Sequence, residues 1–126
     1  MRLGWLVLVL CVASSAWALD VVQVPAKNLL LSWEEPTLNA DGSPLTDLDH
    51  IVIRGSIDGV AFGEVNVPAS GPTGGQVGTH TFMDACAPNT LPLVDVQVYA
   101  VDTNHNESEQ APLAYTMDCL PPGKVK

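Results

Sequence analysis

Few side chains in this sequence are spaced to do chemistry. His50, His80 and His105 fall on three separate stretches, and no two show the His-x-x-x-His spacing that sets a metal-ligand pair on one helix face. His80 alternates with Phe82, which predicts a strand histidine packed beside a ring rather than a ligand. Serine, histidine and aspartate all occur, but no Gly-x-Ser-x-Gly elbow exposes a nucleophile. Glu34-Glu35 and Asp47-Leu48-Asp49 bracket one loop. Loop carboxylates are the donors calcium prefers, yet the EF-hand spacing is absent and a solvated acidic rim is the expectation. A carboxylate pair for glycoside hydrolysis needs a cleft that a domain this small rarely has. The expectation is a chain without catalytic residues, metal or cofactor.

Two short motifs look functional at first sight. Arg54-Gly55-Ser56 is not the Arg-Gly-Asp adhesion tripeptide. Asn106-Glu107-Ser108 matches a glycosylation sequon, in a stretch whose polar residues also suit a turn.

The first residues read as a leader. Arg2 supplies a positive start, Leu3 to Val12 is a short apolar run, and Ala16-Trp17-Ala18 gives the small-x-small cleavage pattern. The run falls short of the ~20 residues a bilayer span needs. A retained anchor at this segment is the alternative. A lipid on Cys11 is a further one, disfavoured because Leu10 is bulkier than the small residue expected before a lipidated cysteine. Cleavage after Ala18 removes 18 of the 126 residues and leaves 108. That predicts a signal peptide over 1–18, one domain over 19–120, and a Pro-Gly tail over 121–126. A domain of that size buries roughly two-thirds of its unfolded surface and can fold alone.

Losing Arg2 takes the net charge from −9 to −10, and Lys27, Arg54, Lys124 and Lys126 are then the whole basic supply. Such a surface repels phosphate backbones and anionic lipid, so neither nucleic acid nor, after cleavage, a membrane is an expected partner. Cys86 and Cys119 remain once Cys11 is gone. An even pair in an exported chain predicts one disulfide, against the alternative of two buried thiols. The localisation expected is extracellular or periplasmic.

The elements that must carry these residues are short strands. Val21–Val24, Asn28–Trp33, Asp49–Ser56, Ala61–Val67, Thr79–Asp84, Val94–Asp102 and Glu109–Met117 make seven, with Pro25 and Pro112 marking edge positions. Leu29, Leu31 and Trp33 share one face, as do Ile51 and Ile53, and Val94, Val96, Val98 and Ala100. Asp58-Gly59 signals a tight turn. Pro68 to Gly78, with four glycines and two prolines, is expected to be the most mobile connection. No amphipathic helix is evident, so an all-β sandwich follows.

Leu31-Ser32-Trp33 with Pro36, then Asp41 to Leu48, then Val98-Tyr99-Ala100-Val101-Asp102-Thr103-Asn104-His105-Asn106-Glu107-Ser108-Glu109 resemble strand B, the BC loop, and strand F with the FG turn of a fibronectin type III domain. The resemblance spans roughly Val21 to Thr116. It implies a seven-stranded immunoglobulin-like sandwich and a non-catalytic secreted module. The family's Tyr early in strand F falls here on Val94. Cys86 sits in the same EF corner, and the implied topology brings Cys119, after strand G, to that end. A Cys86–Cys119 bridge taking over the tyrosine's clamping role is therefore expected. The resemblance also explains the sequon as turn sequence.

The partner implied is an unspecified protein or polysaccharide at a cell or particle surface. Candidate contacts are Asp41, Gly42 and Ser43 in the BC turn, Asn104, His105 and Asn106 in the FG turn, and an outward sheet-face patch of Val52, Arg54 and Tyr99. A virion- or envelope-associated decoration subunit is the second functional expectation. A calcium-dependent lectin or small enzyme is a minor third.

Overall fold

In the computed structural model, residues 18–24, 27–83 and 85–123 are described. Residues 1–17, which hold Cys11 and all but the last position of the leader expected over 1–18, lie outside the described residues, as do Pro25, Ala26, Asp84 and positions 124–126. Among the described residues are eight strands: β1 (Leu19–Val24), β2 (Asn28–Glu34), β3 (Leu48–Ile57), β4 (Val60–Ala61), β5 (Val65–Pro68), β6 (Val77–Phe82), β7 (Leu93–Asp102) and β8 (Ala111–Thr116). They form two antiparallel sheets, ordered β1-β2-β6 and β4-β3-β7-β8, with β5 also pairing β3. The architecture is an all-β sandwich.

The expected count of seven strands is corrected to eight. The run Ala61–Val67, expected to be one strand, is broken. β4 pairs Ser56 and Ile57, β5 pairs His50 to Ile53, and the residues between them leave the ladder. The reason lies in Phe62. Its ring turns onto Phe82, with centroids 5.0 Å apart, while its N–H donates to the Gly55 carbonyl at 3.1 Å. Packing an aromatic ring into the side of the sandwich outweighs keeping a straight edge strand. The Asp58-Gly59 turn takes positive φ at both residues, 54° and 83°, as a two-residue hairpin of this twist requires.

The core follows the two-residue period. Leu29, Leu31 and Trp33 of β2 face Ile51 and Ile53 of β3 and Val94, Val96 and Val98 of β7, all buried. Each such side chain contributes roughly 1.5–3 kcal/mol relative to an exposed position. The Trp33 indole lies against Gly78, where a Cβ would overlap the ring, so glycine is the residue that lets the tryptophan in. Its Nε1 has no hydrogen-bond partner among the described residues.

The two long sides of the sandwich close differently. On one, Phe62, Phe82 and His80 form an aromatic run, with His80 edge-on to Phe82 at 4.8 Å. On the other, the Gln23 side chain of β1 bonds the backbone of Asp118 beyond β8.

The connection from Pro68 to Gly78, expected to be mobile, is tied at several points. Ser70 N–H and Oγ–H both bond the Glu35 carboxylate, at 2.9 and 2.5 Å, and Gln76 N–H reaches it at 3.3 Å. Glu35 N–H donates to Gln76 O, and Leu48 N–H to Pro72 O. Gly74, at φ 64°, lies so close to the Pro36 carbonyl that any Cβ would overlap it. The solvated rim expected of Glu34-Glu35 is thus half corrected. Glu34 is exposed, whereas Glu35 is 5% exposed because three donors from the facing loop replace water.

Candidate functional site

Cys86 and Cys119 form a disulfide, with Cα atoms 5.6 Å apart. Both are buried and belong to the main core. Beyond β8 the chain keeps running alongside the segment before β7. Met117 N–H donates to Pro92 O, Cys119 N–H to Thr90 O, and Asn89 N–H to Cys119 O. Val94, early in β7, is fully buried. Two exposed apolar side chains, Leu91 and Leu93, flank Pro92 at this end.

The β2–β3 and β7–β8 loops, expected from the resemblance as BC and FG, share the opposite end, because β3 begins where β7 ends, with Leu48 paired to Asp102. Each loop is braced from within. In BC, the Asp41 carboxylate accepts the Ser43 N–H at 2.9 Å and the Ser43 hydroxyl at 2.6 Å, and Asn39 bonds Ser43 and Pro44. Those Ser43 bonds hold the Asp41 carboxyl below its ordinary range. In FG, Asp102 Oδ1 accepts the N–H groups of Asn104 and Asn106, and Oδ2 accepts Asn106 Nδ2. The Asn106 backbone bond leads the effects that lower the Asp102 carboxyl. His105 sits at φ 67°, a left-handed conformation uncommon outside glycine and asparagine-like residues. Thr103 N–H donates to Asp47 O at 2.9 Å and joins the two loops. Asp41, Gly42, Ser43, Asn104, His105 and Asn106 are all exposed. The structure therefore places the six loop candidates on two braced turns at one end.

The sheet-face trio is also assembled, but not as an open patch. Val52 and Tyr99 are cross-strand partners on the outer face of the larger sheet. With Val101 they make a second small core, and Val52 and Tyr99 are only 3% and 4% exposed. The Arg54 guanidinium lies over the Tyr99 ring, 5.2 Å from its centroid. Burial raises the Tyr99 phenol. Arg54 alone of the three is exposed, and among the described residues it has no ion-pair partner. Sequence periodicity places a side chain on a face, but not under its neighbours, so the burial of Val52 and Tyr99 was not readable in advance.

Beside this small core lies a feature that motif searching passed over. Asp49, His50, Asn66 and Pro68 line an open groove of about 350 Å³. His50 Nδ1 and Asp49 Oδ2 are 2.7 Å apart. The sequence signal was the Asp49-His50 dipeptide at the start of β3; Asn66 joins it only through the β3–β5 register.

His80 is half-buried beside Phe82, and desolvation lowers its titration from the ordinary 6.5. Among the described residues, no group of three or more His, Cys, Asp or Glu side chains is arranged to hold a metal ion. Nor is any helix there long and apolar enough to cross a membrane. Compared with known proteins, the chain matches no family model and no curated relative.

Proposed function

We propose that this chain is an exported, non-catalytic binding module of the fibronectin type III kind. The division of strands into β1-β2-β6 and β4/β5-β3-β7-β8 agrees with the strand order the resemblance implies, with the broken edge counted as one strand. A disulfide within the core agrees with folding in an oxidising compartment. The observation that carries the binding reading is the Thr103–Asp47 hydrogen bond. It turns two exposed, internally braced loops into one presenting end on a rigid scaffold, which is where such domains make contacts. Preorganised loops lose little entropy on binding.

The test is capture of surface material by the immobilised module. An Asp41→Ala/His105→Ala variant should stay folded, with only a small fall in melting temperature from the lost Asp41–Ser43 brace, and lose capture. Tyr99 is left out of the variant because it is buried. Equal capture by wild type and variant would remove the loops from the reading. Mass analysis of exported protein starting at Leu19 would support export; an intact Met1 would count against it.

A further inference from the structure

We propose that the groove between β3 and β5 is a saccharide subsite, formed by Asp49, His50 and Asn66 on a Pro68 wall. It rests on the binding-module reading and names a ligand class and a site for it.

Three polar groups converge there without being consumed by the fold. The carboxylate of Asp49 holds the imidazole through Nδ1, so a neutral ring presents Nε2 as an acceptor. Among the described residues, neither Nε2 nor the Asn66 carboxamide has a hydrogen-bond partner. Asn66 lies opposite Val52, and Pro68 opposite His50, so the ladder itself sets the spacing of the walls. An Asp carboxylate, an imidazole acceptor and a carboxamide with both a donor and an acceptor can share the alternating donors and acceptors of vicinal hydroxyls. The groove volume falls at the small end of the ~300–1,000 Å³ typical of small-molecule sites, which suits one sugar ring of a longer chain.

The surroundings argue against the other partner class. A protein interface needs desolvated aromatic or aliphatic anchors at its centre. On this face the apolar residues Val52, Tyr99 and Val101 are already buried by the module itself. What remains accessible is Asn66, the Arg54 guanidinium and Gln97 across from Arg54, with the Pro68 ring as the apolar wall of the groove. The groove itself carries the Asp49 carboxylate, and Glu64 and Glu107 act beside Arg54 on the Tyr99 face, so a polyanion is disfavoured and an uncharged polyhydroxyl ligand fits better.

Titration of isotope-labelled protein with three soluble neutral polysaccharides, a β-glucan, a mannan and dextran, tests this by amide and imidazole chemical shifts. The expected result is a selective response of Asn66 and the His50 ring to at least one of them. Asn66→Ala and His50→Ala should each weaken that response about tenfold, the loss of one hydrogen bond to the ligand, with unchanged melting temperature. His50→Ala also frees Asp49, so Asn66→Ala is the cleaner variant. No response to any of the three at millimolar sugar would overturn the subsite. So would shifts confined to residues 38–44 and 103–107, although that pattern would leave the binding-module reading standing. A protein ligand that needs Asn66 while all three polysaccharides fail would overturn the saccharide assignment.

Discussion

Gln23 pairs with Asp118 as if its side chain were a strand residue. Nε2 donates to the Asp118 carbonyl at 2.7 Å, and Oε1 accepts the Asp118 N–H at 2.9 Å. The inward N–H groups beyond β8 belong to Met117 and Cys119, so those of Asp118 point to the free edge. By the same alternation Pro112 also falls on that edge, where it has no N–H to offer. A carboxamide at one end and a proline at the other shorten the stretch on which a foreign strand could pair. Gln23→Ala should cost about 1 kcal/mol in denaturant unfolding, since the two bonds are exposed. Gln23→Glu should cost at least as much, because a carboxylate would face the Asp118 carbonyl. Equal stability of all three proteins would deny the clasp any energetic role.

The disulfide closes a loop with 33 residues of sequence separation. The chain-entropy account gives about 3–4 kcal/mol for it. Reduction, or Cys86→Ala, should lower the melting temperature by more than about 10 °C. The two treatments combined should do no more than either alone. An additive result would mean that the reductant acts on something other than this bridge, whereas a larger loss from Cys86→Ala than from reduction would measure the packing of the Cys86 side chain.

Glu35 joins β2 to the β5–β6 connection through Ser70 and Gln76. Removing its carboxylate breaks these three bonds, but Ser70 and Gln76 are exposed and can turn to water, so Glu35→Ala should destabilise by about 1 kcal/mol. Amide exchange should quicken first at Ser70 and Gln76. Unchanged exchange at those two amides would show that the loop is held by its other contacts.

Gly78→Ala sets a methyl group into the Trp33 indole. Overpacking of this kind costs about 1–3 kcal/mol, and here the ring is fully enclosed and has little room to move. A shift in tryptophan fluorescence should accompany the lower stability. Wild-type stability would mean that the β2–β6 pairing slides to make room.

The lowered His80 titration has a definite sign for stability. The unfolded chain takes up its proton near 6.5, whereas the folded ring, beside Phe82, resists it. Between those two values the unfolded state binds more protons, so this group's contribution is fully present above about 6.5, where both states are neutral, and is lost as pH falls from there toward the folded value. The fall in melting temperature from pH 7.5 to 5 should be smaller in His80→Gln than in wild type. An identical pH dependence in the two proteins would remove His80 as the group responsible.

What was legible in the sequence is what short-range pattern dictates. The two-residue alternation of Leu29, Leu31 and Trp33, and of Val94 to Ala100, is a local consequence of the pleat, so the strands and their inward faces could be read directly. Asp58-Gly59 announced its own turn by the same local logic. The pairing of Cys86 with Cys119 needed an implied topology in addition, and the structure agrees with it. Tertiary structure alone decided the rest. Glu35 looks like a rim carboxylate until Ser70 and Gln76 arrive from more than 30 positions away to replace its water. Val52 and Tyr99 look like an outward patch until the neighbouring strands and Arg54 cover them. Phe62 breaks an apparently continuous strand because Phe82 offers its ring a better place. In each case the deciding energy comes from a partner distant in sequence, to which local periodicity is blind.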